Sequence, residues 1–165
     1  MINAIFAVDS TGSLGLDGSL PWAPIAEDFA WFKENTMNGV VVMGRRTWDD
    51  PKMPKPLPGR TSYVFTSRPI ANAYTASGDV CEKLKKIEHA YPTKTIWVIG
   101  GKDILESARP VLDNLYLTYI KAPHRADVKI HLNDYLVGFR AMTAIPTEHR
   151  RCTFMIYKNV LKTLD

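Results

Sequence analysis

Two apolar runs in this chain end in glycine and pass directly into helical sequence. Val40-Val41-Val42-Met43 leads into Gly44-Arg45-Arg46-Thr47, and Ile96-Trp97-Val98-Ile99 leads into Gly100-Gly101-Lys102. A continuous β-branched run without polar alternation reads as a strand buried on both faces, the mark of a sheet covered by helices. Glycine at the end of such a strand lets the backbone approach a ligand, and the following helix start offers free N–H groups to an anion. Two such turns in one sheet can hold the two ends of one polyphosphate. Glycine at a strand–helix junction is often only a turn, but Arg45, Arg46 and Thr47 beside the first tip it towards phosphate.

The remaining elements build one α/β plan. Residues 2–8 form a buried strand ended by Asp9, followed by a loop rich in glycine (Gly12, Gly15, Gly18) that closes on Leu20-Pro21-Trp22. Loops of that length inside a compact domain are usually functional. Pro24 with Glu27 and Asp28 signals a helix start, and the helix runs to about Asn38-Gly39. Strands follow at 40–43, 61–66, 95–99 and 115–121, with an antiparallel pair at 139–145 and 152–160. Helices occupy the stretch from Asp79 to Tyr91 and a shorter one from Lys102 to Arg109. Strand–helix alternation followed by two strands implies a mixed sheet flanked by helices, in a single domain spanning 1–165 without a linker.

Composition narrows the functional classes. The 165 residues carry 21 Lys plus Arg against 17 Asp plus Glu, and a net charge of +4 suits an anionic small molecule as well as nucleic acid. Two distant cysteines, Cys81 and Cys152, exclude a zinc cluster by count and read as reduced thiols. No His/Asp/Glu pair has metal-ligand spacing, so no metal site is expected. Nucleophilic catalysis is poorly supported, because His89, His124, His131 and His149 neighbour no Ser or Cys in an elbow motif and read as solvated. The N-terminus lacks the basic region of a signal peptide, and no apolar run approaches a bilayer span, so the expectation is a cytoplasmic protein.

Standard nucleotide fingerprints are absent. Gly12, Gly15 and Gly18 fall at G-x-x-G-x-x-G, and Gly101-Lys102 is followed by Asp103 rather than Ser or Thr. Asp28 is the more informative carboxylate. On a helix its i+3 and i+4 neighbours are Trp31 and Phe32, so it shares a face with two large aromatics. A carboxylate held there gains a raised pKa and can pair with a flat, amidine-like heterocycle. Glu27 faces Ala30, Trp31 and Glu34 and is more easily left in water.

These residues occur in an order that resembles the dihydrofolate reductase family. Ala7-Val8-Asp9, Gly15, Leu20-Pro21-Trp22, Asp28-Phe29-Ala30-Trp31-Phe32, Thr36, Val42 to Trp48, Leu57-Pro58-Gly59-Arg60, Ile99-Gly100-Gly101 and Leu115 to Thr118 carry the likeness. It extends to about residue 128 and is weak in the C-terminal strands. The resemblance implies a central eight-stranded, mostly parallel mixed sheet with an antiparallel last strand, flanked by four helices. It also implies NADPH as cofactor, 7,8-dihydrofolate as small-molecule substrate, no nucleic acid or membrane partner, and a monomer.

Carried over by position, Asp28, Trp22 and Thr118 stand at the reacting centre. Ile5, Phe6, Phe32, Leu57 and Ile99 line the pterin and benzoyl pocket, and Arg60 takes the glutamate α-carboxylate. Ala7, Gly15 and Leu20 lie by the nicotinamide. Arg46, Thr47, Gly100 and Gly101 fit the pyrophosphate region and Arg45 and Ser67 the adenosine 2′-phosphate, with Gly44, Thr66, Arg68, Ile99, Lys102, Asp103 and Ile104 completing the cofactor-binding set. Three positions depart from the family pattern. The helix entry 22–28 is one residue longer than in short bacterial members, and Leu105 stands where many members have Tyr. Asp103 stands where some have a basic residue, which weakens the preference for NADPH over NADH. A same-fold reductase of a riboflavin-pathway pyrimidine and a non-catalytic folate- or nucleotide-binding module are the competing readings.

Overall fold

The computed structural model describes residues 1–145 and 151–162, so His149 lies outside the described residues. Ten strands are present among the described residues: β1 (Ile2–Asp9), β2 (Ser13–Gly15), β3 (Val40–Gly44), β4 (Thr61–Phe65), β5 (Tyr74–Ala76), β6 (Ile96–Gly100), β7 (Asn114–Ile120), β8 (Val128–Lys129), β9 (Phe139–Ile145) and β10 (Cys152–Asn159). Eight form one sheet in the order β5-β4-β3-β6-β1-β7-β10-β9, while β2 and β8 pair separately. Strands β5 to β7 of that order are parallel, and β10 runs antiparallel to both β7 and β9. This is the eight-stranded mixed sheet that the resemblance implies.

Five helices occur among the described residues: α1 (Ala26–Thr36), α2 (Arg45–Trp48), α3 (Val80–Ala90), α4 (Lys102–Ala108) and α5 (Leu132–Tyr135). That is one more than the four the resemblance implies, and two of the five, α2 and α5, are single turns. Pro51, just beyond the end of α2, cannot continue a helix. Asp79 caps α3 by accepting the N–H of Glu82 at 2.8 Å. The helix α1 ends at Thr36, short of the expected Gly39, because Asn38 already has φ +63°.

The period of two along the strands divides the core. Ile2, Ala4, Phe6 and Val8 pack with Leu84, Ile87, Leu105 and Leu117 on the α3/α4 face. Ile5, Val41, Met43 and Trp97 pack on the α1 face with Trp48, Leu57, Trp31 and Phe32. Covered on both sides, Val40 to Met43 are fully buried, which is why their sequence shows no alternation. In this sheet the chain passes from β1 to β3 on one side and from β6 to β7 on the other, and open α/β sheets hold ligands at the carboxyl ends of strands beside such a point.

Three short strands, β2, β5 and β8, escaped the sequence pattern. β5 completes one edge of the sheet with largely exposed residues and so has no buried face to give a period. β2 lies inside the glycine-rich loop expected to be irregular, where its residues pair with β8 more than a hundred positions later.

Candidate active site

The α1 face of the sheet carries the site. Asp28 sits in the first turn of α1, and its Oδ1 accepts the Thr118 hydroxyl from β7 at 2.7 Å. Burial pushes the Asp28 carboxyl above its ordinary range, and the Thr118 hydrogen bond offsets part of that rise. Glu27, its neighbour, is exposed. Around the carboxylate, Trp31 stacks on Phe154 of β10 with centroids 4.5 Å apart and planes at 10°. Phe154 is the register partner of Thr118, so this stack fixes α1 over the strand that supplies the hydroxyl. The helix that sets Trp31 and Phe32 three and four positions after Asp28 is present, and the partner ring on β10 comes from more than a hundred positions away.

Ile5, Phe32, Leu57 and Ile99 meet in one apolar cluster on this face. Phe6 does not join them. Its ring is on the opposite face, edge-on to Tyr135 at 5.7 Å, as strand alternation next to Ile5 requires. Leu105 is likewise buried in the α3/α4 core, where its carbonyl accepts the Tyr135 hydroxyl.

Arg60 closes the far end of the cluster. Its Nε donates to the Pro58 carbonyl at 2.8 Å and its Nη1 to the Thr36 hydroxyl at 3.1 Å, with the guanidinium 6.0 Å from the Phe32 ring centroid. Partial burial lowers its pKa from the usual arginine value. Thr36 is a positioning group for Arg60 that the sequence presented only as a helix residue.

The two glycine turns lie side by side, because β3 and β6 are neighbours and Met43 pairs with Gly100. A Cβ added to Gly44 would stand 3.7 Å from the Gly101 nitrogen and 3.2 Å from Ile104 Cγ1. Gly100 has φ +139°, and a Cβ there would lie 3.3 Å from the Thr47 hydroxyl oxygen. The Gly100–Gly101 peptide is cis. Arg45, Arg46 and Arg68 are exposed at this end, with the Arg45 Nε paired to Asp49 at 3.0 Å. Lys102 lies 3.9 Å from Glu106 one turn along α4, and Asp103 is exposed. Thr66 and Ser67 line an open cleft of about 420 Å3 with Thr75, Ser77, Lys83 and Lys86, and Arg45 is not among its walls.

Between the two ends runs the loop from 10 to 22. Gly15 accepts the N–H of Asp127 at 3.0 Å, and Ser19 reaches Asp50 at 3.3 Å. Leu20 is exposed, while Trp22 is 4% exposed and packs against Ile25, Ile120 and Cys152, with Ala7 beside this cluster. Burial and the charges of Asp28 and Glu27 push the Cys152 thiol up.

The family model for dihydrofolate reductase matches residues 1–159. The chain belongs to the dihydrofolate reductase family. A type 9 dihydrofolate reductase from Escherichia coli is 31% identical over 164 residues, covering 95% of this chain and 90% of that protein. A dihydrofolate reductase from Mycobacterium leprae is 38% identical over 124 residues, 73% of this chain and 72% of that one. The fold superposes on an Enterococcus faecalis dihydrofolate reductase, solved in complex with NADP(H) and RAB-propyl, with a TM-score of 0.80 at 24% identity. That match covers 96% of this chain and 95% of the other. Family membership gives the buried carboxylate on α1 and the paired glycine turns their chemical setting. No helix among the described residues is long and apolar enough to cross a membrane.

Proposed function

We propose that this chain, as a single-domain cytoplasmic monomer, reduces 7,8-dihydrofolate to 5,6,7,8-tetrahydrofolate with NADPH. The observation that carries the reading is the Asp28–Thr118 pair, a half-buried carboxylate against aromatic walls on the face where the glycine turns open. In this reading Asp28 receives the pterin 2-amino group and ring N3, and Thr118 holds the carboxylate in line. Ile5, Phe32, Leu57 and Ile99 grip the rings, and the Arg60 guanidinium, oriented by Thr36 and Pro58, takes the glutamate α-carboxylate as a two-pronged donor.

The residues at the glycine turns fit NADPH. At Gly44 and Gly100 a side chain would crowd Ile104 and Thr47, so glycine keeps the backbone bare there, and Arg45, Arg46, Thr47 and Lys102 offer donors to phosphate oxygens. When bound, NADPH supplies the hydride that goes to pterin C6. Asp28, bound to the 2-amino edge, acts by its field: its negative charge favours the pterin protonated at N5, and water carries the proton in. The loop from 10 to 22 covers the reacting rings and excludes bulk solvent.

The test is the fall in NADPH absorbance on adding dihydrofolate, run beside the riboflavin-pathway pyrimidine. Turnover of dihydrofolate alone is the expected result. Turnover of the pyrimidine alone would reassign the substrate, and binding of dihydrofolate without turnover would make the chain a binding module.

A further inference from the structure

The connection between β7 and β8 meets the glycine-rich loop at a junction whose side chains the reaction above leaves unused. Asp9, at the carboxyl end of β1, is 1% exposed. Its Oδ1 accepts the Thr11 N–H at 2.9 Å, the Thr11 hydroxyl at 2.8 Å and the Ser13 N–H at 3.0 Å. Its Oδ2 accepts the backbone N–H of His124 at 2.7 Å, and the Ser13 hydroxyl donates to the His124 carbonyl at 3.0 Å. Burial alone raises this carboxyl, yet the hydrogen bonds outweigh it and bring the pKa to about 2.

All of these bonds use only the main chain of His124. The imidazole adds something separate. Its Nδ1 is buried, 3.5 Å from Asp9 Oδ2, with no hydrogen-bond partner among the described residues. The ring stands edge-on to Trp22, with centroids 5.6 Å apart and planes at 67°. At 24% side-chain exposure, His124 is not the solvated histidine expected from its polar sequence surroundings. An unpartnered buried nitrogen costs more than an apolar side chain of similar shape, so packing by itself favours a hydrocarbon here. The neighbouring carboxylate offsets that cost, and the ring edge is what reaches Trp22.

We propose that His124 is a positioning residue for the reductase reaction: set between the Asp9 carboxylate and Trp22, its imidazole holds the glycine-rich loop in place over the reacting rings. The proposal rests on the reductase reading. Because the main-chain bonds to Asp9 survive side-chain truncation, His124→Ala removes the ring contact while leaving the junction. An edge-on aromatic pair of this kind corresponds to about a 2- to 12-fold change, and we expect kcat to fall within that range. The KM for dihydrofolate and the Tm stay at parental values, because Asp28, Phe32 and Arg60 lie on other elements. His124→Phe, which keeps a ring edge against Trp22, restores kcat to within about twofold.

Tryptophan emission supplies a readout independent of turnover. Trp22 gains water when the ring is removed, so emission shifts to the red in His124→Ala and not in His124→Phe, while Trp31, Trp48 and Trp97 are common to every variant. Parental kcat and emission in His124→Ala would overturn the proposal. So would a parallel loss of Tm and kcat in both variants, which assigns the ring to the fold alone. A parent chain without turnover defeats the reductase reading instead, and the emission shift still tests the contact.

Discussion

The substrate half and the cofactor half of this site are built in opposite ways. In the substrate half, Asp28 and Arg60 each have a hydroxyl partner inside the fold, Thr118 and Thr36, and aromatic walls limit their solvent. In the cofactor half, Gly44 and Gly100 contribute bare backbone, while Arg45, Arg46 and Arg68 stand in solvent. The difference teaches where recognition energy is stored. Buried partners fix a group before the ligand arrives, whereas exposed cations lose solvation and rotamer freedom only when it binds.

Loss of the Asp28 charge is the largest effect expected from this contrast. Asp28→Asn keeps an acceptor for Thr118 but removes the negative field, and should lower kcat/KM about 10²- to 10³-fold at neutral pH. The loss should shrink towards acid pH, where more pterin is already protonated, and Glu27→Gln should be much milder. Rates measured from pH 5 to 9 check this, and a uniform loss across that range would separate Asp28 from the proton step.

Arg60→Ala comes next. Removing a charged, pre-oriented donor pair should cost about 1.5–3 kcal/mol of substrate binding, seen as a KM for dihydrofolate raised about 10- to 100-fold with kcat nearly unchanged. A fall in kcat at constant KM would place Arg60 at the chemistry rather than at the tail.

Gly100→Ala probes the backbone of the cofactor half. A side chain at φ +139° is strained whatever space surrounds it, so the variant should lose about 1–3 kcal/mol of stability and bind NADPH more weakly. Gly101→Ala, at an ordinary φ and 3.6 Å from the Thr47 hydroxyl, should keep the parental Tm and lose only cofactor affinity. Calorimetry and cofactor titration distinguish the two.

The smallest effect falls on an exposed cation. Arg45 already pairs with Asp49, and exposed charges are screened, so Arg45→Ala should weaken NADPH by about 1 kcal/mol and leave NADH nearly untouched. Equal loss for both cofactors would move Arg45 from the 2′-phosphate to the pyrophosphate.

The same contrast explains what the sequence made legible. Val40 to Met43 and Ile96 to Ile99 announced their strands because burial on both faces removes alternation. Asp28 was identifiable because helix spacing alone sets it on a face with Trp31 and Phe32. Thr118 was reached only through the family resemblance and Phe154 not at all, since both come from strands 90 and more positions away, joined only by sheet register. His124 was misread for a related reason: its neighbours in sequence are polar, but its neighbours in space are Asp9 and Trp22. Phe6 marks the limit of carrying roles over by position, since one step along β1 from Ile5 turns its ring to the other face.

In the proposed function the reaction is organised around a carboxylate held in a setting that disfavours its charge. The most direct test of this is the unfolding free energy of the parent and Asp28→Asn as a function of pH. A carboxyl whose folded pKa is raised contributes stability that is full below the unfolded carboxylate pKa of about 3.9 and is lost as pH rises through the folded value. Asp28→Asn should therefore be more stable than the parent at pH 7–8, and this advantage should shrink as the pH falls through the raised folded value and be gone below about 3.9. A variant less stable than the parent at neutral pH, with the deficit closing in acid, would mean that the fold favours the charged form and would contradict the account.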